Sequence, residues 1–290
     1  MASRQQIKQR IGSVKSTKQI TKAMQLVAAS KLRRAQDAAE GPRAYAELAR
    51  GILARLRESA GEDSEFHLFD QRAVKERLLI VVTSDRGLAG AYNANVIRRM
   101  LAEIKADREK NIRTSVVCIG KQAAHAASRI QGLEVRAVYQ ELPDKPDADT
   151  LRPILSSVVG FFADEIVDAV DIVNTKFIST ISQEVQVHRL LPAGLDVTDA
   201  DAPEGPAPII EPSAEVLLRS TTLRLLDAQI YQALLEAAAS EHSMRMLAMK
   251  NATDNASDII DDLTLEYNNA RQAAITQELA EITGGAEAIK

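Results

Sequence analysis

Residues 213–283 read SAEVLLRSTTLRLLDAQIYQALLEAAASEHSMRMLAMKNATDNASDIIDDLTLEYNNARQAAITQELAEIT, 71 consecutive positions without a glycine or a proline. At a rise of about 1.5 Å per residue, one helix over that stretch would be roughly 105 Å long. A typical globular helix has ~11 residues. A helix so long cannot be buried within a chain of 290 residues. It must project and find partners along its length, so the chain is read outward from it.

The first partner is suggested by charge. Residues 1–57 hold 13 Lys/Arg against 3 Asp/Glu, a net of +10, whereas residues 213–290 hold 6 against 12, a net of −6. Opposite charge favours the two ends lying against each other, or each facing a different partner. Residues from Ser3 to about Arg57 carry a helical pattern of their own, with Ser3 as the expected N-cap. Ile7, Ile11 and Val14 have the four–three spacing of a coiled-coil seam. The seam is expected to drift through Ile20, Met24 and Val27, with Ala28, Ala29 and Leu32 keeping it apolar. Gly41-Pro42 either ends this helix or kinks it, and the periodicity resuming over Tyr45–Leu56 favours a kinked continuation.

Between the two ends the pattern changes. Leu78–Val82 is a short continuous apolar run, as in a strand buried on both faces. A turn over Ser84–Gly90 and a helix over Asn93–Ile104 follow. Strands are expected at Thr114–Ile119 and Val135–Tyr139, with helices over Lys121–Arg129 and Asp149–Val167. That alternation predicts a small parallel sheet. Asp171–Ser182 and Glu184–Leu191 alternate apolar and polar residues across a very short link, an antiparallel hairpin at the end of the sheet. Residues 192–212 contain five of the nine prolines and read as a loop, with Pro212 where a helix could begin. The resulting fold class is mixed, α+β and α/β. Long N- and C-terminal helices, whose opposite charges favour pairing, are expected to flank a small inserted Rossmann-like α/β domain. The expected boundaries are 1–58, 72–192, 193–212 and 213–290.

Composition narrows the function. With no Trp, five Phe and five Tyr, the core must rest on Ala, Leu, Ile and Val, which suits long helices. The one cysteine, Cys118, excludes an internal disulfide and a multi-cysteine metal site. It lies in an apolar strand, where it should behave as a small hydrophobe. The opening MASRQQIKQRI enters a helical pattern with no apolar signal core, and no run approaches ~18 apolar residues. A place in the cytosol or on the periphery of a membrane is expected.

Few residues offer chemistry. Gly87-Leu88-Ala89-Gly90 stands between a strand and a helix, where glycine-rich turns can cradle phosphates. It supplies only G-x-x-G, and the second strand ends Val117-Cys118-Ile119-Gly120 without the acidic residue a ribose contact needs. His67, His125, His188 and His242 sit in separate segments with no ligand spacing. Asp258, Asp261 and Asp262 have helical spacing, as a solvated face or a cation site would. The basic N-terminal helix lacks the interleaved aromatics of a nucleic-acid arm and carries an apolar stripe. No catalytic residue, cofactor site or metal site is therefore expected. The alternative is a nucleotide-binding α/β enzyme with helical oligomerisation arms.

Three blocks carry a family resemblance. The first is Ile7–Ile11 with Thr17–Met24 and Val27–Lys31; the second is Thr83–Asn93; the third is Met249–Ala256, continued by Tyr267–Ile282 and ending at Gly285-Ala286. Together they resemble the gamma subunit of rotary, F-type ATP synthases, in the order helix, α/β domain, helix. The absence of a long presequence and of paired cysteines in the α/β domain points to the bacterial type. The resemblance implies an antiparallel coiled coil of the two terminal helices, and a non-catalytic central-stalk rotor whose partners are the alpha and beta subunits, the epsilon subunit and the membrane c ring. The whole would be peripheral on the cytoplasmic face of the bacterial plasma membrane. It implies contact with the alpha/beta ring at Arg271 and Gln272, supported by Thr276, Glu278 and Arg245, and it marks Met24 as a coupling-sensitive position. A solvent-facing helix residue, or a packed coiled-coil methionine for Met24, is the alternative reading of each. Ala273, Ala274, Ile275, Leu279 and Ile282 would suit a smooth apolar axle tip.

Overall fold

The computed structural model describes residues 4–60, 67–193 and 213–287, without the side chains of 39–51, 53–60, 67, 214–215 and 285–287. The expected Ser3 cap and nearly all of the proline-rich loop lie outside the described residues. The elements are α1 (Arg4–Ala60), a 3₁₀ turn (His67–Phe69), β1 (Glu76–Val82), α2 (Tyr92–Glu109), β2 (Arg113–Ile119) and α3 (Lys121–Ala127). They continue with β3 (Glu134–Tyr139), α4 (Ala148–Ala163), β4 (Ala169–Phe177), β5 (Gln183–Leu191) and α5 (Ala214–Glu287). The helix α1 is continuous through Gly41-Pro42, and α5 runs for 74 residues. The residues pack as two compact units, Met1–Ala28 with Arg245–Lys290, and Ala29–Met244.

In the larger unit the five strands lie in the order β3-β2-β1-β4-β5, parallel except for β5, which is antiparallel to β4. Strand β1 sits between β2 and β4, and helices cover both faces of the sheet there, so its side chains are buried on both sides. One face carries Leu78, Ile80, Val117 and Ile172, packed with Ile154 and Phe162 of α4 and Leu226, Ile230 and Leu234 of α5. The other carries Leu79, Val81, Val116 and Cys118, packed with Val96 and Met100 of α2 and Ala123 of α3. Each fully buried Leu, Ile or Phe contributes roughly 1.5–3 kcal/mol over its exposed state. Burial also pushes the Cys118 thiol up to about 11.

The hairpin stands at one end of the sheet, but β4 is interior. Its polar residues Asp171, Asn174 and Thr175 are buried, and the first two have side-chain partners. The Asp171 carboxylate accepts from Arg77 and Arg189. Arg77 also donates to Glu103 and Asp107 of α2, each at 3.0 Å, so one guanidinium joins β1, β4 and α2. Asn174 is fully buried and donates to the Ala233 carbonyl of α5. Helix α4 begins earlier than its pattern suggests because Asp147 caps it, accepting from Thr150 N at 2.9 Å, and it ends at Ala163 rather than Val167.

In the smaller unit the heptad does not drift. Ile7, Thr21 and Ala28 are buried and Ile11, Val14, Lys18 and Gln25 half-buried, an unbroken four–three series. Ile20 and Val27 are 60% and 58% exposed, so the expected drift through them is incorrect. Of the polar residues in this series, Thr21 is buried because it finds a partner: its hydroxyl lies 2.8 Å from that of Thr253 on α5. On α5, Met249, Thr253 and Ala256 are buried and Met246, Ile260, Leu263, Tyr267, Ala270 and Ala274 half-buried, again in four–three spacing.

Candidate functional site

At the carboxyl end of β1 the chain turns through Leu88 (φ 60°) and Gly90 (φ 56°) into α2. Ser84 N donates to Asn93 Oδ1 at 3.0 Å. Asn93 Nδ2 returns a bond to Ser84 Oγ at 2.8 Å, which pins the turn to the first turn of α2. The helix N-terminus next to it, that of α3, is filled by the protein's own oxygens. Lys121 N donates to Asp85 Oδ1 at 3.0 Å, Gln122 N to the Ser84 carbonyl at 3.2 Å and Ala123 N to Thr83 Oγ1 at 2.8 Å. Gly120, at φ +92°, is required here, since a Cβ would lie 2.2 Å from the Thr83 carbonyl oxygen. Gly87 has open space where its Cβ would stand, so it provides no close backbone approach. A phosphate at α3 would have to displace three intramolecular bonds. Leu234, Ala237, Ala238 and Glu241 of α5 also line the small cavity at these strand ends.

A second polar cluster lies alongside, in the connection between β3 and α4. Asp144 Oδ1 is 3.0 Å from His242 Nε2 on α5, and its Oδ2 is 2.9 Å from Lys31 Nζ on α1. The hydrogen bond to His242, and then the Lys31 ammonium, hold this carboxyl well below the usual carboxylate range. His242, which has no ligand spacing in the sequence, is buried, its side chain only 4% exposed. The missed signal is its spacing. His242 stands seven residues before Met249 and fourteen before Ala256, in register with the buried seam of α5. An imidazole at such a position needs a polar partner.

The candidate contact residues fall in the smaller unit. Arg271, Gln272, Thr276 and Glu278 are all exposed on two turns of α5, and Thr276 Oγ1 donates to the Gln272 carbonyl at 2.9 Å. Arg245 and Met24 are half-buried. Of the residues expected to form a smooth apolar tip, Ala273, Ile275, Leu279 and Ile282 are exposed and Ala274 is half-buried. Leu265 (64% exposed), Ile275 (47%), Leu279 (58%) and Ile282 (68%) stand with Gln272 in a second four–three series, offset from the covered one. Asn268, half-buried, and Gln272 are the polar members of that stripe, and Arg271 flanks Gln272. Asp258, Asp261 and Asp262 are exposed on the same helix. Among the described residues no helix is long and apolar enough to cross a membrane.

A family model described as ATP synthase matches residues 3–289. At the level of single proteins, the chain is 41% identical over 295 residues to an ATP synthase gamma chain of Heliobacterium modesticaldum, with 100% of both chains covered. It is 40% identical to that of Nitrosomonas eutropha and 38% identical to that of Stenotrophomonas maltophilia, again with 100% of both covered. Among solved structures, a central stalk/c-ring chain of the Tetrahymena thermophila mitochondrial ATP synthase matches at a TM-score of 0.59 and 25% identity, covering 80% of this chain and 99% of that one. A chain of the Euglena gracilis mitochondrial OSCP/F1/c-ring assembly matches at 0.66 and 20% identity, covering 98% and 93%, and supports the fold. The chain belongs to the ATP synthase family and, within it, to the gamma chains.

Proposed function

We propose that this chain is the central-stalk rotor of a proton-transporting ATP synthase. It couples rotation of a membrane c ring to ATP synthesis and hydrolysis in an alpha/beta ring, and performs no catalysis of its own. The observation that carries the reading is the exposed apolar stripe of α5, with Arg271 and Gln272 set into it, in a chain that belongs end to end to the gamma chains. An apolar surface turning inside a sleeve has few directional contacts that lock one angle. Arg271, Gln272, Thr276, Glu278, Arg245 and Met24 supply the angle-dependent ones. Unequal contact around the shaft then biases the beta sites differently, a population shift by differential contacts.

The terminal helices form an antiparallel coiled coil that stiffens the shaft. Two kinds of observation support this. Each helix carries a four–three seam, joined by the Thr21–Thr253 hydrogen bond. In the larger unit, Lys31 and His242 meet at Asp144, while Asp37 and Ala38 line a groove with Arg224, Asp227, Ala228 and Tyr231. Residue numbers thus rise along one helix as they fall along the other. The inserted domain, residues 72–192, is Rossmann-like in its parallel order β3-β2-β1-β4 and serves as the foot. There it meets the epsilon subunit and the c ring, on the cytoplasmic face of the bacterial plasma membrane.

Co-purification from membranes tests the reading. Tagged chain should bring down alpha, beta and epsilon subunits, and the isolated chain should not hydrolyse ATP. ATP turnover by the isolated chain would instead favour a nucleotide-binding enzyme.

A further inference from the structure

The connection between β3 and α4 is tied down along its whole length. Near its start, Glu141 N donates to Asp85 Oδ2 at 2.8 Å, and Glu141 Oε1 accepts from Lys121 Nζ at 2.7 Å. At its end, Asp147 caps α4. Asp144 stands between them, and its two oxygens reach two different helices, His242 of α5 and Lys31 of α1. Helix α5 is also fixed directly to β4 and to the link that follows it, for Ser240 Oγ donates to the Thr175 carbonyl at 3.3 Å and Ser243 Oγ to the Thr180 carbonyl at 2.7 Å. Apolar packing resists separation of helices but is non-directional. Charge-assisted hydrogen bonds are directional and resist one element turning on another. A carboxylate already held by a buried imidazole also loses little further freedom on accepting from Lys31.

We propose that Asp144 is a torque-coupling residue. By holding Lys31 and His242 at once, it fixes α1, α5 and the α/β domain at a single relative angle, so that rotation applied to the domain reaches both helices together. The inference rests on the rotor reading. It is a positioning role and touches no nucleotide. The turn after β1 is part of the same device, since Asp85 anchors the connection that carries Asp144.

The test uses the complete ATP synthase in membrane vesicles, carrying Asp144→Asn in this chain. ATP hydrolysis and ATP-driven proton pumping are measured on the same vesicles. Hydrolysis should stay within about twofold of wild type while pumping per ATP falls about two- to thirtyfold, the range for residues that carry coupling between sites. Lys31→Met and His242→Gln, each removing one arm, should shift the ratio in the same direction by less, and Lys31→Arg should restore it. An unchanged ratio, with or without a common loss of both activities, overturns the proposal and leaves Asp144 a merely structural residue. If the Asp144→Asn chain does not enter the complex, the two single-arm variants decide, and full pumping in both overturns the proposal. Failure of the wild-type chain to assemble would overturn the rotor reading instead.

Discussion

The hydroxyls of Thr21 on α1 and Thr253 on α5 lie 2.8 Å apart, both residues buried and 232 positions apart in the chain. Each hydroxyl also has a carbonyl of its own helix within reach, Lys18 O at 3.1 Å for Thr21 and Met249 O at 2.8 Å for Thr253. One proton must therefore cross between the helices while the other stays local. Removing either threonine leaves its partner bonded to its own helix. Thr21→Val or Thr253→Val should each cost about 0.5–1.5 kcal/mol. The double variant should cost less than the sum of the two, because facing valines pack without an unsatisfied group. Thermal unfolding of the four proteins of the cycle measures this, and strict additivity would show that the bond contributes nothing.

Gly120→Ala should be far more damaging. The backbone is at φ +92° and the new Cβ would fall 2.2 Å from the Thr83 carbonyl oxygen, so the strand end and the start of α3 would both have to move. A loss of about 4 kcal/mol or more is expected, the range reserved for strain at special backbone positions. Gly87→Ala meets open space and should lie within about 0.5 kcal/mol of wild type. Urea unfolding of both variants separates a geometric requirement from a mere turn preference.

Arg77→Met would leave Glu103, Asp107 and Asp171 facing one another with their shared cation gone. Arg189 would still hold Asp171. Breaking a buried ion cluster by removing one partner typically costs about 3–5 kcal/mol, and the loss should shrink when Asp107→Asn is added. Chemical denaturation of the single and double variants checks both statements.

Cys118 should be silent to thiol reagents near neutral pH, since burial raises its thiol from 9.0 to about 11 and closes access. The folded state favours the protonated thiol, so this group's contribution to stability is complete below pH 9 and declines as the pH rises from 9 toward 11. Cys118→Ala should flatten that decline. Labelling of the native chain at pH 8, compared with the urea-unfolded chain, should give almost no reaction in the first and full reaction in the second.

Arg271→Ala and Gln272→Ala test the proposed ring contacts. Both residues are exposed on α5, so the isolated chain should lose less than about 0.5 kcal/mol of stability. In the assembled synthase, turnover should fall about two- to tenfold. Equal turnover in variant and wild-type complexes would return both to the role of solvated helix residues.

The sequence by itself determined the elements whose cause is local. Seventy-one residues without glycine or proline can form one helix whatever surrounds them, and α5 runs from Ala214 to Glu287. The apolar runs of β1 and β2 carried their own evidence of burial on both faces. Arg271, Gln272, Thr276 and Glu278 stand together because their motif lies within one helical segment, and they are exposed there; their contact with the ring is a proposal. Only the tertiary structure decided which polar side chains enter the interior. Thr21, His242 and Asp171 are buried because partners arrive from Thr253, Asp144 and Arg77. Nothing in the neighbouring residues foretells such an arrival, since a polar group is stable inside only when a distant one meets its hydrogen bonds. The same cause buried Thr21 on α1 while the more apolar Ile20 and Val27 stayed exposed. Hydrophobicity ranks residues one at a time, whereas burial depends on what the fold brings against them.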